Sequence, residues 1–107
     1  MSRFMRLFVM FDLPTNTHDE RRDASNFRKF LLKDGFYMMQ YSVYVRICNG
    51  LEAANIHEKR VMAAVPQKGS VRSLKITENQ YAAMNIICGD PIADLDVDSS
   101  KKSVIIL

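Results

Sequence analysis

Residues 4–11 read FMRLFVMF and end at Asp12-Leu13-Pro14. An apolar run of eight residues stopped by a proline-containing turn has the length and boundary of a β-strand. Strand side chains alternate between faces, so Met5, Leu7, Val9 and Phe11 share one face while Phe4, Phe8 and Met10 surround Arg6 on the other. Both faces are apolar. A layer of helices on one side buries only half of such a strand, and the second face requires another cover.

The segments that follow supply the helices. Thr17 and Glu20 have capping-box spacing, and Lys33-Asp34-Gly35 supplies a stop, which predicts a helix over residues 18–34. On its wheel Ala24, Phe27 and Leu31 form one stripe with Phe30 beside it, and Arg22, Lys29 and Lys33 lie opposite, flanked by Arg21 and Arg28. Residues 36–48 (FYMMQYSVYVRIC) are rich in β-branched and aromatic side chains but too long for one strand, so a break is expected at residues 40–42. Asn49-Gly50 is a turn, and residues 51–65 read as a second helix stopped by Pro66. Residues 70–77 (SVRSLKIT) form another strand, with a turn or short helix at residues 78–81 and a short apolar strand expected at residues 84–88. An acidic linker then leads to residues 103–107 (SVIIL), a β-prone end that aggregates unless it pairs with a sheet edge.

In order the segments read β-α-β-β-α-β with additional short C-terminal strands, an α+β, ferredoxin-like sheet with two helices. The expected organisation is a domain over residues 1–88, then a linker and terminal strand over residues 89–107 that docks on a sheet edge of a dimer partner. Helices on one face leave the other bare. It is best hidden against the same face of a second copy, which predicts a two-fold homodimer joined through the sheet faces. At 107 residues, such an interface adds stability that a core of this size supplies only sparingly.

Composition narrows the function. Thirteen of the fifteen Lys and Arg but only eight of the twelve Asp and Glu fall in residues 1–89, a surplus of five positive charges. A basic domain with a pI near 9.0 makes an acidic partner, nucleic acid above all, the first class to consider. Cys48 and Cys88 are too few for a disulfide framework and lack zinc-ligand spacing, so both are read as buried thiols. Residues 1–10 are interrupted by Arg3 and Arg6 and lack a signal-peptide pattern, and no apolar stretch is long enough to cross a bilayer, so a cytoplasmic location is expected.

Asp12, a carboxylate closing an apolar strand, stands out among candidate chemical groups. It has two readings, a cap on the turn at Leu13-Pro14 and a metal ligand. If two-fold symmetry brings two such side chains together, a hard cation such as Mg²⁺ relieves their repulsion. One carboxylate per copy argues against strong two-metal catalysis. His18 and His57 have no triad or metal spacing and are read as surface or capping residues, and with four Gly no G-x-G-x-x-G loop is present. Arg22, Lys29 and Lys33, with Arg21, Arg28, Arg46 and Arg72 elsewhere, are candidates for phosphate contact or a solvated surface. Aromatic side chains do not alternate with the basic ones on the helix, so contact with a duplex backbone fits better than stacking of single strands.

Nearly the whole chain resembles the small CRISPR-associated adaptation proteins that accompany the CRISPR integrase, in the branch beside type II effectors. The resemblance rests on Val9-Met10-Phe11-Asp12-Leu13-Pro14, on Asp19-Glu20-Arg21-Arg22 and Asn26-Phe27-Arg28-Lys29, on Gly35-Phe36 and Gln40-Tyr41-Ser42-Val43-Tyr44, and on Ser70-Val71-Arg72 with Thr77-Glu78-Asn79-Gln80-Tyr81. It implies a ferredoxin-like homodimer that bridges integrase dimers and holds prespacer duplex DNA. It also implies Asp12 as a Mg²⁺-binding catalytic residue of a metal-dependent endonuclease acting on RNA or DNA. Arg21, Arg22, Arg28, Lys29, Lys33 and Arg72 are the expected nucleic-acid contacts. The contrasting expectation is a dimeric protein-interaction module without nuclease activity.

Overall fold

The computed structural model describes residues 3–89. The elements run β1 (Met5–Asp12), α1 (His18–Lys33), β2 (Tyr37–Gln40), β3 (Val43–Cys48), α2 (Leu51–Ala64), β4 (Ser70–Thr77) and a short α3 (Glu78–Ala82). The strands form one sheet in the order β2-β3-β1-β4, with every neighbouring pair antiparallel. β1 and β2 therefore run parallel with β3 between them, the split β-α-β arrangement expected from the element order.

Local chemistry sets the boundaries. The Thr17 hydroxyl accepts from the Glu20 N–H at 3.1 Å, and the Glu20 carboxylate accepts from the N–H groups of Thr17 and Asn16 at 3.1 and 2.9 Å. This reciprocal cap satisfies donors that the first turn of α1 leaves open. The Thr17 N–H, aided by that of Asn16 and by Lys68, holds the Glu20 carboxyl below the usual glutamate range against a smaller opposing effect of desolvation. The helix closes at Asp34, whose N–H donates to Phe30 O at 2.9 Å. Gly35 then turns the chain at φ +97°, in the left-handed region, beside the Arg46 guanidinium, which lies within 3.0–3.2 Å of where a Cβ would stand. The break in the long apolar segment falls at Ser42, which takes a φ of 64°, and the β2–β3 register shifts between Met38 and Gln40.

The helices cover one face of the sheet. Leu7, Val9 and Phe11 pack with Phe27 and Leu31 of α1, Ala54 and Val61 of α2, and Phe36, Tyr44 and Cys48. Phe11 meets Phe27 edge-on at 5.2 Å and stacks on Tyr44 at 5.6 Å. The seam between α2 and β4 is polar, with Glu58 accepting from Lys75 at 2.6 Å and from the Ser73 hydroxyl.

The opposite face carries Arg6, Phe8, Met10 and Asp12 of β1, which pair across the sheet with Ile47, Val45 and Val43 on β3 and with Ile76, Leu74, Arg72 and Ser70 on β4. α3 covers one end of it. Arg6 is buried there, its Nε and Nη2 donating to the two Glu78 carboxylate oxygens at 2.8 Å each and its Nη1 to the Tyr37 hydroxyl at 2.8 Å. The guanidinium lies 3.9 Å over the Tyr81 ring, and the Tyr37 and Tyr81 hydroxyls are 3.1 Å apart. Phe8 is buried beside the same tyrosine, at 6.1 Å between rings. Beyond α3 the face is open, with Ile47 39% and Leu74 51% exposed.

Two expectations are corrected. Residues 84–88 form no strand in the described chain, and Ile87 is 95% exposed. A short apolar segment becomes a strand only when a neighbouring edge receives its N–H and C=O groups, and no strand among the described residues does so. Cys88, in that segment, is exposed rather than buried, whereas Cys48 is buried as expected and its thiol is pushed up by desolvation. The acidic linker from residue 90 onward and the strand expected at residues 103–107 lie outside the described residues. Among the described residues no helix is long and apolar enough to cross a membrane.

Candidate nucleic-acid interface

Asp12 closes β1 on the open side of the sheet. It pairs with Ser70, and Arg72 stands across from Met10, the preceding β1 residue on that face. The carboxylate is exposed and, among the described residues, enters no ion pair or side-chain hydrogen bond. It therefore does not cap the turn at Leu13-Pro14. Gly69 fits tightly behind it at φ +100°, where a Cβ would lie 2.8 Å from the Asp12 carbonyl oxygen. That approach fixes the α2–β4 loop against the end of β1 and leaves the Asp12 side chain facing outward.

The candidate phosphate contacts divide between two surfaces. Arg21, Arg22, Arg28, Lys29 and Lys33 sit on α1, behind the helix-covered face, whereas Arg72 projects from the open face. Lys29, Lys33 and Arg72 are exposed and, among the described residues, enter no ion pair. Arg21 donates to the Thr15 carbonyl at 3.1 Å. Arg22 lies 3.4 Å from Asp19 and 3.7 Å from Asp23, but it is 55% exposed, and pairs of that kind are worth little and exchange readily for a phosphate. Arg46 is different. Its Nε donates to the Asp34 carbonyl at 2.7 Å and its Nη1 to the Ile47 carbonyl at 2.8 Å, so it ties the α1–β2 turn to β3.

Two groups have roles that their sequence positions do not suggest. The Asp34 side chain is buried to 3% exposure and holds His57 Nδ1 at 2.9 Å and Arg60 at 2.7 Å, which joins the end of α1 to α2. His57 is thus an inter-helix bridge rather than a surface or capping residue, while His18 is the exposed first residue of α1. Arg28 leans toward the β2–β3 turn, its guanidinium 5.7 Å from the Tyr41 ring and 5.9 Å from the Phe11 ring. An aromatic residue 13 positions away thus joins the basic helix, a pairing that helical spacing cannot reveal.

This arrangement has counterparts. Residues 5–84 match the family model of CRISPR associated protein Cas2. A "CRISPR-associated endoribonuclease Cas2" of Ligilactobacillus salivarius is 43% identical over 102 residues, spanning 95% of this chain and 100% of that protein. One of the same name from Parvibaculum lavamentivorans is 51% identical over 85 residues, spanning 79% and 84%. A solved structure titled "Crystal structure of cas2" superposes with a TM-score of 0.56 at 17% identity, covering 87% of this chain and 94% of that one, which supports the fold. The match covers all four strands and both long helices, with Asp12 and every candidate cation inside it, and the chain belongs to the Cas2 family of CRISPR-associated proteins.

Proposed function

We propose that the chain is a cytoplasmic CRISPR adaptation subunit that dimerises through its open sheet face, bridges integrase dimers and holds prespacer duplex DNA along the cations of α1 and, at the rim of that face on the edge strand β4, Arg72. The observation that carries this reading is the open face itself. Ile47 and Leu74 are 39% and 51% exposed on the strands that flank β1, whose other face is sealed by the helices, and an apolar sheet face of this kind is stabilised by a second copy.

Asp12 belongs to the same reading. Among the described residues no three His, Cys, Asp or Glu side chains cluster to hold a metal, and on its end of the open face Asp12 stands as a single unpaired carboxylate. That donor fits Mg²⁺, which keeps several waters and takes one or two carboxylates, with the partner's Asp12 as the second. When bound, the ion supplies a polarised phosphate and an activated water for phosphodiester cleavage of RNA or DNA. The chain's residues place the carboxylate outward with Arg72 on the same face and the other cations on α1, which accounts for binding more fully than for turnover, so scaffolding is the main role.

Spacer insertion reconstituted with the cognate integrase tests the proposal. Reversing Arg22 and Lys29 to glutamate is expected to weaken duplex binding and insertion together, and Leu74→Lys to convert the dimer to a monomer in sedimentation. Asp12→Ala is expected to abolish Mg²⁺-dependent cleavage while insertion continues. Full insertion by monomeric Leu74→Lys would overturn the scaffold, and full cleavage by Asp12→Ala would remove Asp12 from the chemistry.

A further inference from the structure

Resting on that reading, we infer that Tyr41 and Arg28 form a stacking site for one unpaired nucleobase at the end of a bound duplex. Tyr41 is 77% exposed, the most open aromatic residue of the described chain, in the turn between β2 and β3. Ser42 beside it takes a φ of 64°, unusual for a residue with a side chain, and its carbonyl accepts the Phe11 N–H at 3.1 Å. That bond fastens the turn to β1 one residue before Asp12. The turn that carries the ring is therefore tied to the sheet by a backbone hydrogen bond, which matters because ordering a loop on binding costs affinity.

Arg28 completes the site. Its guanidinium lies 5.7 Å from the Tyr41 ring and 5.9 Å from Phe11, within cation–π range of both. Phe11 is buried and packed on Phe27 and Tyr44, so Arg28 is braced from the core side. With the cation over one face, the exposed ring offers its other face to a base and the cation a charge for the adjoining phosphate. This pair of contacts recognises unpaired nucleotides with little regard to sequence. A paired base inside a duplex hides its face from the ring, so the ligand is a single-stranded extension and not the duplex interior. A strand of RNA and one of DNA present the same face.

The full-length protein is titrated with a blunt DNA duplex and with the same duplex carrying a short unpaired extension, whose first base is 2-aminopurine, in deoxyribose and ribose versions. The wild type is expected to bind the extended duplex more tightly and to quench the 2-aminopurine. Tyr41→Ala is expected to lose about 5- to 100-fold in affinity for the extended duplex and to abolish the quenching, with blunt-duplex binding within about twofold of wild type. Tyr41→Phe, which keeps the π-face, is expected to behave as wild type, and circular dichroism checks that each variant is folded. Equal gains from both sugars assign recognition to the base, and a gain from the ribose version alone assigns the source as RNA. A wild type that binds the blunt duplex and gains nothing from either extension overturns the stacking site alone. One that binds no duplex overturns the proposed function and the stacking site together.

Discussion

The two faces of the sheet use the same strands and much the same residue types, yet they end in different states. On the helix side Leu7 and Val9 are wholly buried, and Phe27 and Leu31 close over them. On the other side Ile47 and Leu74 remain substantially exposed, and among the described residues only α3 covers the Arg6 end. The contrast teaches that apolar alternation assigns a residue to a face, whereas the element packed on that face decides whether it serves folding or association. Truncation of a sealed aromatic removes both transfer free energy and packing, so Phe27→Ala is expected to cost about 3–5 kcal/mol. Leu74→Ala should cost the subunit much less, because half its surface is already in water. Denaturant unfolding of the two variants measures the difference, and equal losses would mean that both faces contribute alike to folding.

Arg6 sharpens it from the open side. Its charge interrupts the apolar run, but Glu78, Tyr37 and Tyr81 surround it, and the clamp holds α3 down on the sheet. Removing one partner of a buried ion pair leaves the other uncompensated, at about 3–5 kcal/mol when both are fully buried. Glu78 is 31% exposed and recovers part of that through water, so Arg6→Ala is expected to cost about 1–3 kcal/mol. Thermal unfolding gives the loss. The tyrosine near-ultraviolet dichroism should fall with it, since Tyr37 and Tyr81 lose their fixed partner. An unchanged tyrosine signal would mean that α3 is held on the sheet without Arg6, by contacts such as Phe8 against Tyr81 and the Glu78 N–H on the Phe4 carbonyl.

How far these features were legible follows from their range in the chain. The Thr17–Glu20 cap, the stop at Gly35 and the break at residues 40–42 depend on neighbours a few positions apart, and each forms where local chemistry predicts. Asp12 is placed by strand alternation and its boundary, which also puts it on the open face. The pairs Asp34–His57, Arg6–Glu78 and Arg28–Tyr41 join residues 23, 72 and 13 positions apart, and only folding brings them together. Asp34 reads as a helix stop and serves as one, but its burial depends on α2 arriving beside it. The failed strand at residues 84–88 has the same origin, because apolar content supplies the strand while a partner supplies the ladder.

The smallest expected effect lies at the polar edge of the helix-covered side, where Glu58 joins α2 to β4. The Lys75 ammonium, and then the Ser73 hydroxyl, hold the Glu58 carboxyl below the usual glutamate range. A carboxyl depressed in the folded state stabilises the fold fully above its unfolded pKa, and the contribution drains away as pH falls through the folded one. Glu58→Gln should therefore melt below wild type at pH 7, by no more than about 1 kcal/mol for a partly exposed pair. The gap should narrow steadily once the pH drops beneath the ordinary glutamate range. Glu20 titrates with the same sign in both proteins, so its loss lowers both melting curves and cancels in their difference. A gap that stayed constant into acid would mean that Glu58 acts by shape and neutral hydrogen bonding, and the seam between α2 and β4 would then owe nothing to charge.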